Sequence, residues 1–408
     1  MKTRYLHYQL LILFCAFFTR EAPADPQTFV VPDQYPTIQS AIEAAAPGDT
    51  VSVKAGTYSE NVIIDKEGIQ LIGEGRNLVT VQTSATHLAL DCGRWKTGLV
   101  SGITFQQTNR TDNKIHYSVV GYDMTGSIEM KDCRIQGGDG DGIGLGNASP
   151  RITGCIIENN RGAGILVDGT GYPEIRDNEC QKNEDGIKFV DGGGGNAEGN
   201  VCEYNSENGI DVNEDARDLT LKSNQCRNNW IGIGFDDGAR GEAEKNVCEY
   251  NKLGGIEVSG PGTAPTLKSN QCENNKGYGI EFSASARGNA EQNVCEYNTG
   301  DGIDVILLGT APTLKSNQCQ DNQKDGVFYY LGADGNCEEN VCNNNKVDGI
   351  DVDDSDPYID SNTCCNNGRV GIIRTSDSNA QIGDNNQVNG NQESQIVTNG
   401  VDTVPVIP

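Results

Sequence analysis

Residues 200–212 read NVCEYNSENGIDV: Asn200-x-Cys202-x-x-Asn205, and then Gly209-Ile210-Asp211-Val212. The phrase Asn-x-Cys-x-x-Asn occurs nine times between Asn178 and Asn367. Its cysteines stand at Cys180, Cys202, Cys226, Cys248, Cys272, Cys295, Cys319, Cys342 and Cys364, a step of 22 to 24 residues. A period that short, sustained that long, marks a solenoid in which each repeat adds one coil and stacking buries the core. A leucine-rich repeat would need a dense Leu frame, and helical solenoids need ~34 residues or more per repeat. These coils use Ile, Val, Cys and Phe, with Gly and Asn every few residues, which opposes long helices. The expectation is an all-β parallel β-helix with three short strands per coil.

Outward from that phrase a second order appears. NVCEYN recurs at Asn200, Asn246 and Asn293, and SNQC at Ser223, Ser269 and Ser316, so the repeating unit is a pair of coils. Five residues before each cysteine the side chain alternates in size: Ile175, Ala197, Leu221, Ala243, Leu267, Ala290, Leu314. After the Gly-Ile pair the same alternation runs Phe189, Val212, Phe235, Val258, Phe282, Val305. Interleaved large and small coils fill a narrow core without voids. Cys337 takes the place held by Ala290 and Ala243, so cysteine serves here as a small buried apolar residue. In-register cysteines one strand spacing apart, ~4.8 Å, lie beyond the usual disulfide Cβ separation. A ladder of reduced thiols is expected, with Cys365, beside Cys364, either pairing with Cys337 or staying free. The asparagines flanking each cysteine suit left-handed backbone and amide stacking between coils.

The chain divides around this array. Lys2 and Arg4, the apolar run Leu10 to Phe18, and Ala22-Pro23-Ala24 make residues 1–24 a signal peptide. The expectation is a secreted, extracellular protein with a mature start near Asp25. Residues 25–382 read as one β-helix domain, with 25–70 its N-terminal cap and first coil and 155–382 its regular coils; residues 383–408 are a C-terminal cap or tail. In the first cap Ile38, Ala41, Ile42 and Ala45 have helical spacing behind Pro36, and a short helix there would cover the open end of the stack. Sequons begin at Asn109, within an excursion over 106–121, and at Asn147; in a eukaryote either accepts glycan. Fifty-eight acidic residues against 31 basic ones give a net charge of −27, or −29 once the leader is removed. Such a surface repels nucleic acid and anionic membranes. An acidic polysaccharide would need bridging cations, for which calcium, with its preference for oxygen ligands, is the candidate.

The start, VPDQYPTIQSAIEAAAPGDTVSVKAGTYSENVIID over residues 31–65, and the coils behind it resemble the pectin lyase-like superfamily of right-handed parallel β-helices. That resemblance implies a carbohydrate-binding or sugar-hydrolysis type of domain over nearly the whole mature chain. It implies no single reaction, because the superfamily includes lyases, hydrolases, esterases, epimerases and adhesins. Asn298-Thr299-Gly300-Asp301-Gly302-Ile303-Asp304 is similar to the N-T-D-G stretch of polygalacturonases, with one extra Gly. Their Gly-His-Gly and Arg-x-Lys stretches are missing, and the histidines are His7, His87 and His116. The strings of pectin methylesterases and mannuronan epimerases are missing too. Lys188, Arg176 and Arg374 are conceivable bases for a lyase.

Two columns remain as candidate sites. The residue after each Gly-Ile points outward by strand alternation: Lys188, Asp211, Gly234, Glu257, Glu281, Asp304 and later Asp351. Stacked acids share protons, share a cation such as calcium, or splay into water. Asp211, Glu257, Glu281, Asp304 and Asp351 are therefore the candidate calcium ligands. The second column is Tyr204, Tyr250 and Tyr297, two residues past the cysteine on every second coil. If exposed, these rings stand ~10 Å apart, twice the strand spacing, and suit stacking against alternate units of an extended glycan. If buried, each needs only a partner for its hydroxyl. Two functions follow. One is a monomeric secreted β-helix that binds polysaccharide along a lateral face, with cleavage left open by the missing motifs. The other is a non-catalytic acidic structural or adhesive protein that binds cations, mineral or extracellular matrix.

Overall fold

The computed structural model describes residues 25–84, 86–93, 96–109, 118–122, 127–398 and 401–404. The expected leader, 1–24, and residues 110–117 of the excursion lie outside them. Three parallel sheets run the length of the molecule. Sheet A has sixteen strands from Thr28–Val31 to Gln381–Ile382, and sheet C sixteen from Val62–Ile63 to Val401–Val404. Sheet B has twelve, from Gly56–Ser59 to Gln318–Gln320. The chain visits A, B and C in turn, and each strand pairs with its counterpart one coil on, as Ala197 does with Leu221, Cys202 with Cys226 and Ile210 with Ile233. This is the expected parallel β-helix, three strands to a coil. Beyond Gln320, sheet B thins to single bridges from Gln318 to Val341 to Thr363.

The core columns are in the expected register and fully buried. Leu221, Ala243, Leu267, Ala290 and Leu314 stack on sheet A. Phe235, Val258, Phe282 and Val305 stack on sheet C. All fourteen cysteines among the described residues are free and buried, Cys337 and Cys365 included. The backbone is also close-packed at the corner between sheets B and C. A Cβ on Gly255 would lie 2.5 Å from the Gly279 carbonyl oxygen and 2.8 Å from the Cys272 Cβ. Backbone, glycine and the cysteine Cβ are pressed together there, so the glycine cannot be larger.

Both short corners of a regular coil turn through left-handed backbone, and the residues that do so there differ from expectation. They are not the ladder asparagines but the residues just before them, such as Ser223 (φ 52°) before Asn224 and Tyr204 (φ 57°) before Asn205. The ladder asparagines hold the coils together instead. Asn251 Oδ1 accepts from the backbone N–H of Asn229 (3.0 Å), while its Nδ2 donates to the Cys226 carbonyl (3.1 Å) and to Asn275 Oδ1 (3.0 Å). Two such ladders, one at each short corner, satisfy buried polar groups that turning backbone would otherwise orphan.

Both ends are closed. An α-helix over Ile38–Ala44 buries Ile38, Ala41 and Ile42, and Thr37 forms a capping box with Ser40. At the far end Ser394–Thr398 continues sheet C, and Val401–Val404 turns back antiparallel along it. A strand of opposite direction ends the parallel ladder there.

Candidate functional site

At the corner between sheets B and C the left-handed position falls between the cysteine and the second ladder asparagine. Along successive coils it is held by Lys182, Tyr204, Asn228, Tyr250, Asn274, Tyr297, Asp321 and Asn344, all with φ between 56° and 58°. Asn and Asp tolerate this conformation; a bulky side chain does so at a cost of roughly 1–2 kcal/mol. The backbone there turns outward, so the ring is thrown clear of the coil. Tyr204, Tyr250 and Tyr297 are 55%, 53% and 53% exposed, which resolves the alternatives left open by the sequence. Successive rings are two coils apart, ~10 Å. The first two border a groove of about 610 Å³ whose lining includes Asn228, Asn274, Lys252 and Lys276. Trp230, two residues past Asn228, is 45% exposed on the same corner. The sequence reading missed it because no aromatic residue recurs at that position.

The outward column on sheet C is also in the expected register: Lys188, Asp211, Gly234, Glu257, Glu281, Asp304, Phe328, Asp351. Phe328, stacked on Tyr330 with centroids 5.4 Å apart, interrupts the acids. The column is not splayed into water: Asp211 is buried and Glu257, Glu281, Asp304 and Asp351 are half-buried. Asp211 is neutralised by Lys188 (2.7 Å) and accepts from Asn208 Nδ2 (3.1 Å). Gly234 leaves a notch of about 50 Å³ between Asp211 and Glu257. Glu257 accepts from the Tyr278 hydroxyl (2.8 Å), whose ring lies over Gly254, where a Cβ would be 1.9 Å from it. Burial pushes the Glu257 carboxyl up, against that hydrogen bond. Burial, with Glu257 beside it, raises Glu281 to about 7. Burial, then the adjacent Asp301, holds Asp304 well above the usual carboxylate range, and its Oδ1 is buried without a hydrogen bond.

Three carboxyls converge further along. Asp325, Asp348 and Asp351 each offer an oxygen within 4.8 Å of the others. Of the five candidate calcium ligands, Asp351 alone belongs to such a trio among the described residues; Asp211, Glu257, Glu281 and Asp304 form none. Burial and Asp301 raise Asp325 to about 8, and burial and Asp348 raise Asp351 to about 7. The residues before the Gly-Ile pairs carry structure: Asp301 Oδ1 accepts from the Asp325 N–H (2.7 Å), and Asp325 Oδ1 from the Asp348 N–H (2.6 Å). The stretch similar to N-T-D-G is therefore part of a coil-to-coil ladder. The conceivable bases are engaged as well. Burial pulls the Lys188 ammonium down, but Asp211 and Asp185 (3.2 Å) outweigh it and hold the proton on. Arg176 pairs with Glu198 (2.7 Å), and Arg374 donates to the Ala380 carbonyl (2.8 Å). Asn109 is exposed; Asn147 is half-buried, its Oδ1 accepting from Thr170 N–H (2.8 Å).

The model of the right handed beta helix region matches residues 47–197, 118–260, 163–318 and 227–363, which together span most of the chain. The chain belongs to that family. Among solved structures it is similar to the mannuronan C-5 epimerase AlgE6 A-module of Azotobacter vinelandii, at 15% identity over 90% of this chain and 94% of that one, with a TM-score of 0.43. It is also similar to the catalytic unit of a thermostable GH87 alpha-1,3-glucanase from Streptomyces thermodiastaticus strain HF3-3, at 14% identity, 90% and 69% coverage and a TM-score of 0.46. A GH87 alpha-1,3-glucanase catalytic domain in complex with tetrasaccharides aligns at 9% identity, 90% and 70% coverage and a TM-score of 0.50. At these identities the likeness is one of fold. No curated protein sequence matches the chain. No helix among the described residues is long and apolar enough to cross a membrane.

Proposed function

We propose that this β-helix binds polysaccharide along the corner between sheets B and C. The observation that carries the reading is the row Tyr204, Tyr250, Tyr297, exposed and held at a left-handed position that Asn or Asp occupies at lower cost on alternate coils. Flat rings at a regular interval, with asparagine amides between them, offer stacking faces and hydrogen bonds to a periodic, hydroxyl-rich polymer. The glucanase domain of the same fold was solved with tetrasaccharides, which is consistent with this use of the architecture. The exported, monomeric state expected from the sequence goes with the reading. Affinity electrophoresis through gels containing different polysaccharides tests it. The triple variant Tyr204→Asn, Tyr250→Asn, Tyr297→Asn should lose retention while staying folded; unchanged retention would overturn the assignment. Assaying the same glycans for new reducing ends or unsaturated products, with and without calcium, decides whether binding leads to cleavage.

A second reading, an acidic extracellular protein that takes up cations, is favoured by the convergence of Asp325, Asp348 and Asp351. Calcium there should raise Tm and a chelator should reverse the rise, with Asp351→Asn abolishing both effects. A melting curve indifferent to calcium and chelator would remove this reading.

A further inference from the structure

Lys252 and Lys276 are the only charged residues lining the Tyr204–Tyr250 groove, in a chain whose net charge is −27. The backbone places them side by side. The Lys252 N–H donates to the Asn229 carbonyl (2.9 Å) and the Lys276 N–H to the Asn251 carbonyl (3.0 Å), so the second lysine stands one coil beyond the first. Their Cα atoms are therefore ~4.8 Å apart, with Tyr250 two residues before the first and Asn274 two before the second. Both side chains are exposed. Among the described residues neither belongs to an ion pair, whereas Lys188, Lys222, Lys245 and Lys324 are each matched to a carboxylate. Two adjacent ammonium groups with no counterion repel one another, and an anion placed between them relieves that repulsion. Acids flank the groove on the outward face of sheet B, at Glu249 and Glu273.

We infer that the groove is selective for an acidic sugar: a unit stacked on Tyr250 whose carboxylate or sulfate lies between Lys252 and Lys276. This rests on the glycan reading of the tyrosine row and adds the chemical class of the ligand. A long polyanion is repelled by the rest of the surface, so recognition is local and suits a chain end, a short acidic block or an isolated acidic unit in a neutral chain. Each exposed ammonium–anion contact is modest, and the two together discriminate by about tenfold.

The test is calorimetric titration of the full chain with four hexasaccharides: galacturonate, the same oligomer with its carboxyls methyl-esterified, a sulfated galactan, and an unsubstituted glucan. The wild-type protein should bind the galacturonate or the sulfated oligomer about tenfold more tightly than the methyl ester, and whichever wins identifies the anion. Lys252→Gln/Lys276→Gln should erase that preference, while Tyr250→Asn should weaken all ligands. Equal binding of acid and ester, or a preference that survives the double lysine variant, overturns the acidic-sugar inference and leaves the glycan reading standing. Binding of the glucan alone has the same meaning. Absence of binding to all four oligomers overturns both.

Discussion

At the scale of single residues, a left-handed torsion goes with exposure in the tyrosine row. Tyr278 lies flat, 6% exposed, with its hydroxyl on Glu257. Tyr250, of the same type and one coil earlier, stands in water because its φ is 58°. The asparagine already used at φ 57° to 58° on the intervening coils shows what the corner prefers on local grounds. Replacing Tyr250 by Asn should therefore leave Tm unchanged or raise it, by the equivalent of about 1 kcal/mol or less. A clear fall in Tm would mean that the ring supports the fold. The tyrosine column was legible in the sequence as a column, because its spacing follows the cysteines. Its exposure was not. Exposure depends on which residue of Cys-Glu-Tyr-Asn turns left-handed, and composition pointed to asparagine, the commonest tolerant residue, rather than to the tyrosine before it.

At the scale of strands, stacking converts a sequence column into a shared electrostatic environment. Glu257, Glu281 and Asp304 follow one another on sheet C, and each is half-buried. For Glu281, burial first and Glu257 second raise the carboxyl from 4.5 to about 7, so the folded chain binds a proton there that the unfolded chain has released. The stability this confers is full below pH ~4.5 and lost as pH rises through about 7. Thermal melts should give a Tm lower at pH 8 than at pH 5 by roughly 2–4 °C, and Glu281→Gln should shrink the difference. A Tm that climbs steadily from pH 5 to pH 8 would contradict this account of the column. Order and outward direction of these acids could be read from the Gly-Ile spacing. Their burial could not, because it comes from neighbours outside the column, such as Tyr278 laid across Gly254.

At the scale of the molecule, the stack is a continuous rod with no internal cross-links among the described residues. Each coil touches its two neighbours through three ladders, two asparagine rows and a thiol row, so stability accumulates from coil to coil. Burial raises the Cys272 and Cys295 thiols, while hydrogen bonds from Cys226 and Cys272 lower Cys248 to about 6 against its burial; because all of them are shut away from solvent, they should be inert in the native protein. A thiol reagent such as Ellman's should react with none of the fourteen quickly at neutral pH and with all of them in guanidinium. Rapid native labelling of several would mean that the coils open locally. The architecture at this scale was readable almost in full, since a 22- to 24-residue period with no Leu frame leaves few solutions. The antiparallel strand Val401–Val404 was not, because it lies beyond the last repeat and shares none of its residues.

The alternation of Leu221, Ala243, Leu267 and Ala290 has a consequence for how such a rod can grow. Deleting or duplicating one coil would set Leu against Leu or Ala against Ala, crowding or hollowing the layer at that point. Removing or adding two coils keeps the sizes in phase. It also brings or takes away one tyrosine, since the rings keep the same two-coil rhythm. The length of the groove is thus quantised: the gene can lengthen or shorten this ruler only in units of one ring.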